Sequence, residues 1–150
     1  MIRQVKAGEM FSLTREPAFA FFKESQINGS LDFKFFCNFW DGLIASKVGV
    51  VLVNERGDDV RNGIIGGLVS PCFMTGDKIA TEAFWWIAPE LRKYSPAGIK
   101  LFIEWEKIVK EMGVKRIYVG NLHAINHDQM QHLYHRLGYS SLETHYVKSV

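Results

Sequence analysis

Cysteine is scarce in this 150-residue chain: Cys37 and Cys72 are the only two, and they form no Cys-x-x-Cys pair. That excludes a disulfide framework and makes a reducing, cytoplasmic setting the expectation. Each cysteine lies in apolar sequence with no basic neighbour to lower its pKa, so buried thiols are expected rather than nucleophiles. An excess of one charge is also missing: 18 basic side chains stand against 16 acidic ones, and no basic stripe is visible. Nucleic acid is therefore not an expected partner, and neither is a charged membrane surface. No apolar run approaches the roughly 20 residues that a membrane span needs. Met1 to Lys6 is charged and lacks the apolar centre of a secretion signal, so no leader is expected there. Repeats, linkers and low-complexity tracts are absent too.

What is present is apolar substance. Hydrophobic residues make up 47% of the chain. That suffices for one domain, residues 1–150, with a proper core. Ile2 to Lys6 alternates enough for an edge-like strand. Thr14 caps an expected helix to about Ser25, and Gln26-Ile27-Asn28-Gly29 is a turn. Ser30 caps a second expected helix, whose Phe33, Phe36, Cys37, Trp40, Leu43 and Ile44 recur at helical spacing. These aromatics are either core packing or the wall of an enclosed, apolar-lined site. The second reading favours a small molecule.

Strands are expected at Val48–Val53 and at Gly63–Ser70, and Thr75-Gly76-Asp77-Lys78 turns the chain into a further strand ending at Ile87, in an antiparallel meander. Gly66-Gly67 predicts a bulge or the close approach of another backbone. A helix after Ser95 carries Leu101, Phe102, Trp105, Ile108, Val109 and Met112 on one face and ends at Gly113. A strand at Val114–Val119 follows. Asn126, with Gln129 completing a capping box, opens a last helix striped by Met130, Leu133, Tyr134 and Leu137. Two short strands, around Tyr139–Ser141 and Glu143–Val147, complete the order β-α-α-β-β-β-α-β-α-β-β. The fold class is α/β (α+β), with a mixed, mostly antiparallel sheet flanked by helices.

The chain is organised around residues 86–98. A buried strand ends at Ile87, a short loop carries Arg92 and Lys93, and Ser95 and Pro96 stand at the N-cap and first positions of the next helix. Ala97 and Gly98 bare the following amides, so unpaired N–H groups and the positive end of the helix dipole make an anion site.

Arg92-Lys93-Tyr94-Ser95-Pro96-Ala97 resembles the Gln/Arg-x-x-Gly-x-Gly/Ala signature of the GNAT superfamily of N-acetyltransferases. Pro89-Glu90-Leu91 resembles the Pro-Glu-Tyr that often precedes it. Near the other end, Leu133-Tyr134-His135-Arg136-Leu137-Gly138-Tyr139 resembles the family's Leu-Tyr-x-x-x-Gly-Phe segment. The element order is that of the GNAT fold, so the resemblance spans nearly the whole chain. It implies an N-acetyltransferase using acetyl-coenzyme A as acetyl donor, with direct transfer to a primary amine. Backbone near Trp86 and Ile87 would hold the pantetheine arm, and Arg92, Lys93, Tyr94, Ser95, Pro96, Ala97 and Gly98 the pyrophosphate. The departures are Ser95 at the first glycine position and Pro96, which removes one amide donor. Members are often dimers, so a homodimer is compatible.

Tyr134 is the implied acid for the departing thiolate. A phenol of pKa ~10 matches the range of that thiol. The same residue also lies on an apolar stripe, where core packing would explain it. Members often have an asparagine seven residues before this tyrosine; here Asn126 is eight before it and His127 seven. Asn126 is thus a cofactor candidate and also a simple cap. Glu82 is the candidate general base, on the face of Phe84 and Trp86, with His145 or a water chain as alternatives. All five histidines fall in the last quarter of the sequence, and none belongs to a ligand set at zinc-like spacing, so no metal is expected. The competing function is an inactive module of the same fold that binds acyl-coenzyme A or a protein without turnover.

Overall fold

The structure, a computed structural model, describes residues 1–57, 60–93 and 95–150. It forms two compact units, Met1–Gly120 and Asn121–Val150, each described by itself. The element order is β1 (Ile2–Gln4), α1 (Met10–Ser25), α2 (Phe33–Ala45), β2 (Gly49–Arg56), β3 (Val60–Pro71), β4 (Lys78–Ile87), α3 (Pro89–Arg92), α4 (Ala97–Glu111), β5 (Arg116–Tyr118) and α5 (His127–Arg136).

In the first unit the five strands lie side by side in chain order, β1-β2-β3-β4-β5. The first three pairings are antiparallel, and β4 pairs with β5 in parallel. The parallel pair requires a crossover, which α3 and α4 supply. α1 and α2 cover one face. Their Met10, Leu13, Ala18, Phe33, Cys37 and Trp40 form one cluster with Val51, Val53, Ile64, Phe84 and Trp86 of the sheet. α4 covers the other face through Leu101, Phe102, Trp105 and Val109, all fully buried. Trp105 also donates its indole N–H to the Val50 carbonyl at 3.2 Å. A side chain this deeply buried contributes about 3 kcal/mol or more of apolar transfer, and its one polar atom is satisfied.

Several expectations shift. α1 begins at Met10 behind Glu9, so Thr14 is no cap; it is buried and returns its hydroxyl proton to the Met10 carbonyl at 2.6 Å. Asp32, not Ser30, caps α2, accepting the Phe35 N–H at 2.9 Å. The loop after Ile87 contains one helical turn, α3, which Pro89 starts with its preset φ. The two terminal strands do not form. Residues 139–150 join no ladder, and Leu142, Tyr146 and Val147 are 72%, 92% and 98% exposed. A short strand needs a neighbouring strand and a buried face to be stable, and residues 140–150 are exposed throughout.

The α2 aromatics divide. Trp40 and Phe36 close around the Phe84 ring at 5.0 and 5.5 Å between centroids, joined by Phe21 at 6.2 Å. Phe35 and Phe39 form an exposed stacked pair instead. The inner aromatics are core, so they give no support to an aromatic acceptor wall. Cys37 is buried as expected, and burial, helped by the Asp41 charge, raises its pKa. Cys72 departs from expectation. It is only half-buried, and hydrogen bonds from the Thr75 hydroxyl and the Met74 and Thr75 amides hold its thiol below the usual range.

Candidate active site at the end of β4

β3 and β4 slip register at Gly66/Gly67: Gly66 faces Phe84, Gly67 faces Glu82, and Ala83 is the extra residue. The glycines are needed for contact as well. A Cβ on Gly66 would lie 2.1 Å from the Phe84 ring, and one on Gly67 would lie 2.4 Å from both the Thr81 carbonyl and Trp105. The bulge has a chemical consequence. Inserting one residue turns the alternation over, so Glu82 does not share the face of Phe84 and Trp86, contrary to the strict period-2 expectation.

The parallel ladder between β4 and β5 ends at the pair Thr81–Tyr118. β4 runs on to Ile87, held by β3 on one edge, with no strand on the other edge among the described residues. Glu82 stands where the two parallel strands cease to pair. Its Oε2 accepts the Gly120 N–H at 3.2 Å. Desolvation pushes its pKa up to about 7, against the lowering effect of that hydrogen bond. A carboxyl that titrates near neutrality beside an unpaired strand edge is suited to taking a proton from an ammonium group.

Beyond β4, the Ala88 N–H donates to the Asn62 carbonyl at 2.8 Å, which carries the pairing one residue past the strand. α4 then begins at Ala97. The Pro96 carbonyl accepts the Lys100 N–H at 2.9 Å, so Pro96 occupies the cap position that was expected of Ser95. Ser95 keeps the chemistry of a cap, because its Oγ accepts the Ala97 N–H at 3.2 Å. The Ala97 amide is therefore engaged, and Pro96 has none to offer. The amides of Gly98 and Ile99 have no acceptor among the described residues. A Cβ on Gly98 would make only ordinary contact with Ile87, at 3.7 Å. Packing does not demand glycine there; a side chain would obstruct access to the amide itself.

Arg92, implied by the resemblance as a pyrophosphate ligand, is engaged within the fold. Its Nε donates to the Ile87 carbonyl at 2.9 Å, and its Nη2 meets Glu24 Oε2 at 2.7 Å. The other oxygen of Glu24 accepts the Trp86 indole N–H at 2.8 Å. The Ile87 carbonyl is thus already in use, and Trp86 points its side chain into the α1/α2 core. Lys93 is exposed, and Tyr94 lies outside the described residues. Glu24 and the Gly120 amide were missed by sequence reasoning. Glu24 is an acidic residue in the last turn of α1 with no local signature, and its partners are 62 and 68 residues away.

The second unit contains Asn126 and Tyr134. Asn126 precedes α5 with a left-handed backbone, φ +45°, and its side chain makes no cap. A capping side chain needs an extended backbone to turn back on the first amides, so the capping box with Gln129 does not form. The carbonyl of Asn126 accepts the Met130 N–H instead. Tyr134 is buried, with its ring 5.8 Å from that of Tyr139. Met130, Leu133 and Leu137 share its covered stripe, whereas His132 and His135 are exposed. His145 is also exposed and pairs with Glu143 at 3.2 Å. Among the described residues no group of three His, Cys, Asp or Glu is placed to hold a metal, and no helix is long and apolar enough to cross a membrane.

Compared by sequence, the chain matches no protein-family model and no curated protein. Compared by structure, it is similar to acetyltransferases over its whole length. A predicted acetyltransferase from Clostridium acetobutylicum, solved with acetyl-CoA, has a TM-score of 0.76 at 12% identity, covering 99% of this chain and 95% of that one. An aminoglycoside acetyltransferase from an uncultured soil metagenomic sample, in complex with sisomicin, has a TM-score of 0.75 at 11% identity, covering 100% and 95%. Glucosamine-6-phosphate N-acetyltransferase from Arabidopsis thaliana has a TM-score of 0.74 at 14% identity, covering 99% and 98%. The chain has the fold of the GNAT acetyltransferases.

Proposed function

We propose that the protein is an acetyl-coenzyme A-dependent N-acetyltransferase, with residues 1–150 as its catalytic domain. The observation that carries this reading is the run from an unpaired β4 edge, beside Glu82, to a helix start whose Gly98 and Ile99 amides are unengaged. An extended pantetheine arm can lie along such an edge, and a pyrophosphate can sit on such amides at the positive end of α4. Lys93 adds charge at the loop. Glu82 takes the proton of the acceptor ammonium. The amine then attacks the thioester carbonyl, and Tyr134 returns a proton to the departing thiolate. Most of the rate comes from holding amine and thioester at attack distance and from stabilising the tetrahedral oxyanion. The acceptor we favour is a primary amine on a small molecule, as the sisomicin-bound aminoglycoside acetyltransferase suggests. A cytoplasmic protein without metal completes the proposal.

A second reading is an inactive acyl-coenzyme A-binding module. It is favoured by the engaged Ala97 amide and the missing Pro96 donor. Thiol release from acetyl-coenzyme A, measured against a panel of small amines, tests the two. Amine-dependent release supports the enzyme. Binding of acetyl-coenzyme A without release under any acceptor supports the module.

A further inference from the structure

Glu24 joins three parts of the first unit with one carboxylate. It lies in the last turn of α1, and its side chain is 28% exposed. One oxygen accepts from the indole of Trp86 on β4, and the other from the guanidinium of Arg92 at the end of α3. The same guanidinium donates to the Ile87 carbonyl, the last of β4. A planar guanidinium presents its donors in a fixed fork, so holding Nη2 on Glu24 and Nε on Ile87 sets the direction of the chain where it leaves the sheet. Five residues later comes Ala97, the first residue of α4.

We propose that Glu24 is the positioning residue of the loop between β4 and α4: through Arg92 it fixes the path from Ile87 to the Gly98 amide before any ligand arrives. The proposal rests on the reading of that loop as a cofactor site. Trp86 secures the carboxylate from the other side, so the anchor is tied to the core and not merely to a surface cation. Exposed ion pairs contribute little to stability. This pair is partly shielded and shares its carboxylate with a buried indole, so its loss is felt as loop disorder. A loop ordered in advance does not have to be ordered by the ligand, which spares affinity.

Two measurements test this, one independent of any acyl donor. Limited trypsin digestion of the ligand-free protein should cut after Arg92 and Lys93 about tenfold faster in Glu24→Ala than in the wild type. Glu24→Gln keeps one acceptor oxygen but turns a donor NH2 toward the second donor, so its cut should fall between those of Glu24→Ala and the wild type. Calorimetry with acetyl-coenzyme A should show about tenfold weaker binding for Glu24→Ala, which corresponds to about 1.4 kcal/mol. Arg92→Ala and the Glu24→Ala/Arg92→Ala double variant should then bind equally, because the two residues act through one link. If Glu24→Ala does not fold, Arg92→Ala must show the faster cut after Lys93. Unchanged digestion in the folded variant overturns the proposal. Unchanged or tighter binding by Glu24→Ala also overturns it, since Glu24 would then be inert or would hold Arg92 away from the phosphates. If the wild type itself does not bind acetyl-coenzyme A, the functional reading fails, and the digestion still decides the role of Glu24.

Discussion

At the scale of single residues the account turns on two side chains with different tasks. Glu82 must be ionised to accept a proton, and burial holds its pKa near 7 instead of at the usual carboxylate value. Turnover should therefore rise about tenfold per unit up to about pH 7 and level off above it. Glu82→Gln should remove that dependence along with most of the rate, which a pH series of thiol release would measure. Stability runs the opposite way. The folded state holds this proton more tightly than the unfolded chain, so Glu82 costs stability as pH rises from about 4.5 to about 7. A melting series over that window should fall less steeply in Glu82→Gln. Tyr134 is the acid of the scheme. Tyr134→Phe should lower turnover roughly a hundredfold, the lower end of general-acid contributions, while leaving acetyl-coenzyme A affinity nearly intact. Equal turnover would return Tyr134 to a packing role.

At the scale of elements, the glycines separate packing from binding. Gly67 sits where a Cβ would meet backbone and Trp105 at 2.4 Å. Gly67→Ala should destabilise the fold by about 1–3 kcal/mol, the usual cost of overpacking. Gly98→Ala meets only Ile87 at an ordinary distance, so its melting temperature should match the wild type while acetyl-coenzyme A binds more weakly. Denaturant melts alongside calorimetry check the pair. Gly66-Gly67 was also the most legible feature of the sheet, because two adjacent glycines inside a strand have few purposes besides a bulge or a close contact. Which strand carries the extra residue was not legible. That depends on pairing with β4, and it is what moved Glu82 to the opposite face from Phe84 and Trp86. The face of α4 was readable from its 3.6-residue period, and Leu101, Phe102, Trp105 and Val109 are its buried residues. Caps were less readable. Thr14, Ser30, Ser95 and Asn126 all have suitable side chains, yet the backbone placed Glu9, Asp32 and Pro96 ahead of α1, α2 and α4 and gave Asn126 a left-handed φ.

At the scale of the whole molecule, local pattern and long-range pairing contribute differently. The alternation of helices and strands followed from hydrophobic spacing, and the two motifs pointed to one fold, which the structural neighbours share over 95% of their length. The terminal strands did not follow, because nothing local in residues 139–150 distinguishes a strand that pairs from an exposed tail. Glu24 was invisible for the complementary reason: its role exists only once α1, β4 and α3 have met.

The central claim is that the start of α4 binds the pyrophosphate of acetyl-coenzyme A. The most direct test is calorimetric titration of the wild type and of Ser95→Asp with acetyl-coenzyme A, desulfo-coenzyme A and adenosine diphosphate. The account predicts micromolar binding of all three by the wild type, lost in Ser95→Asp, where a negative charge stands at the phosphate position. Binding that is absent in the wild type, or unchanged by the aspartate, would contradict it.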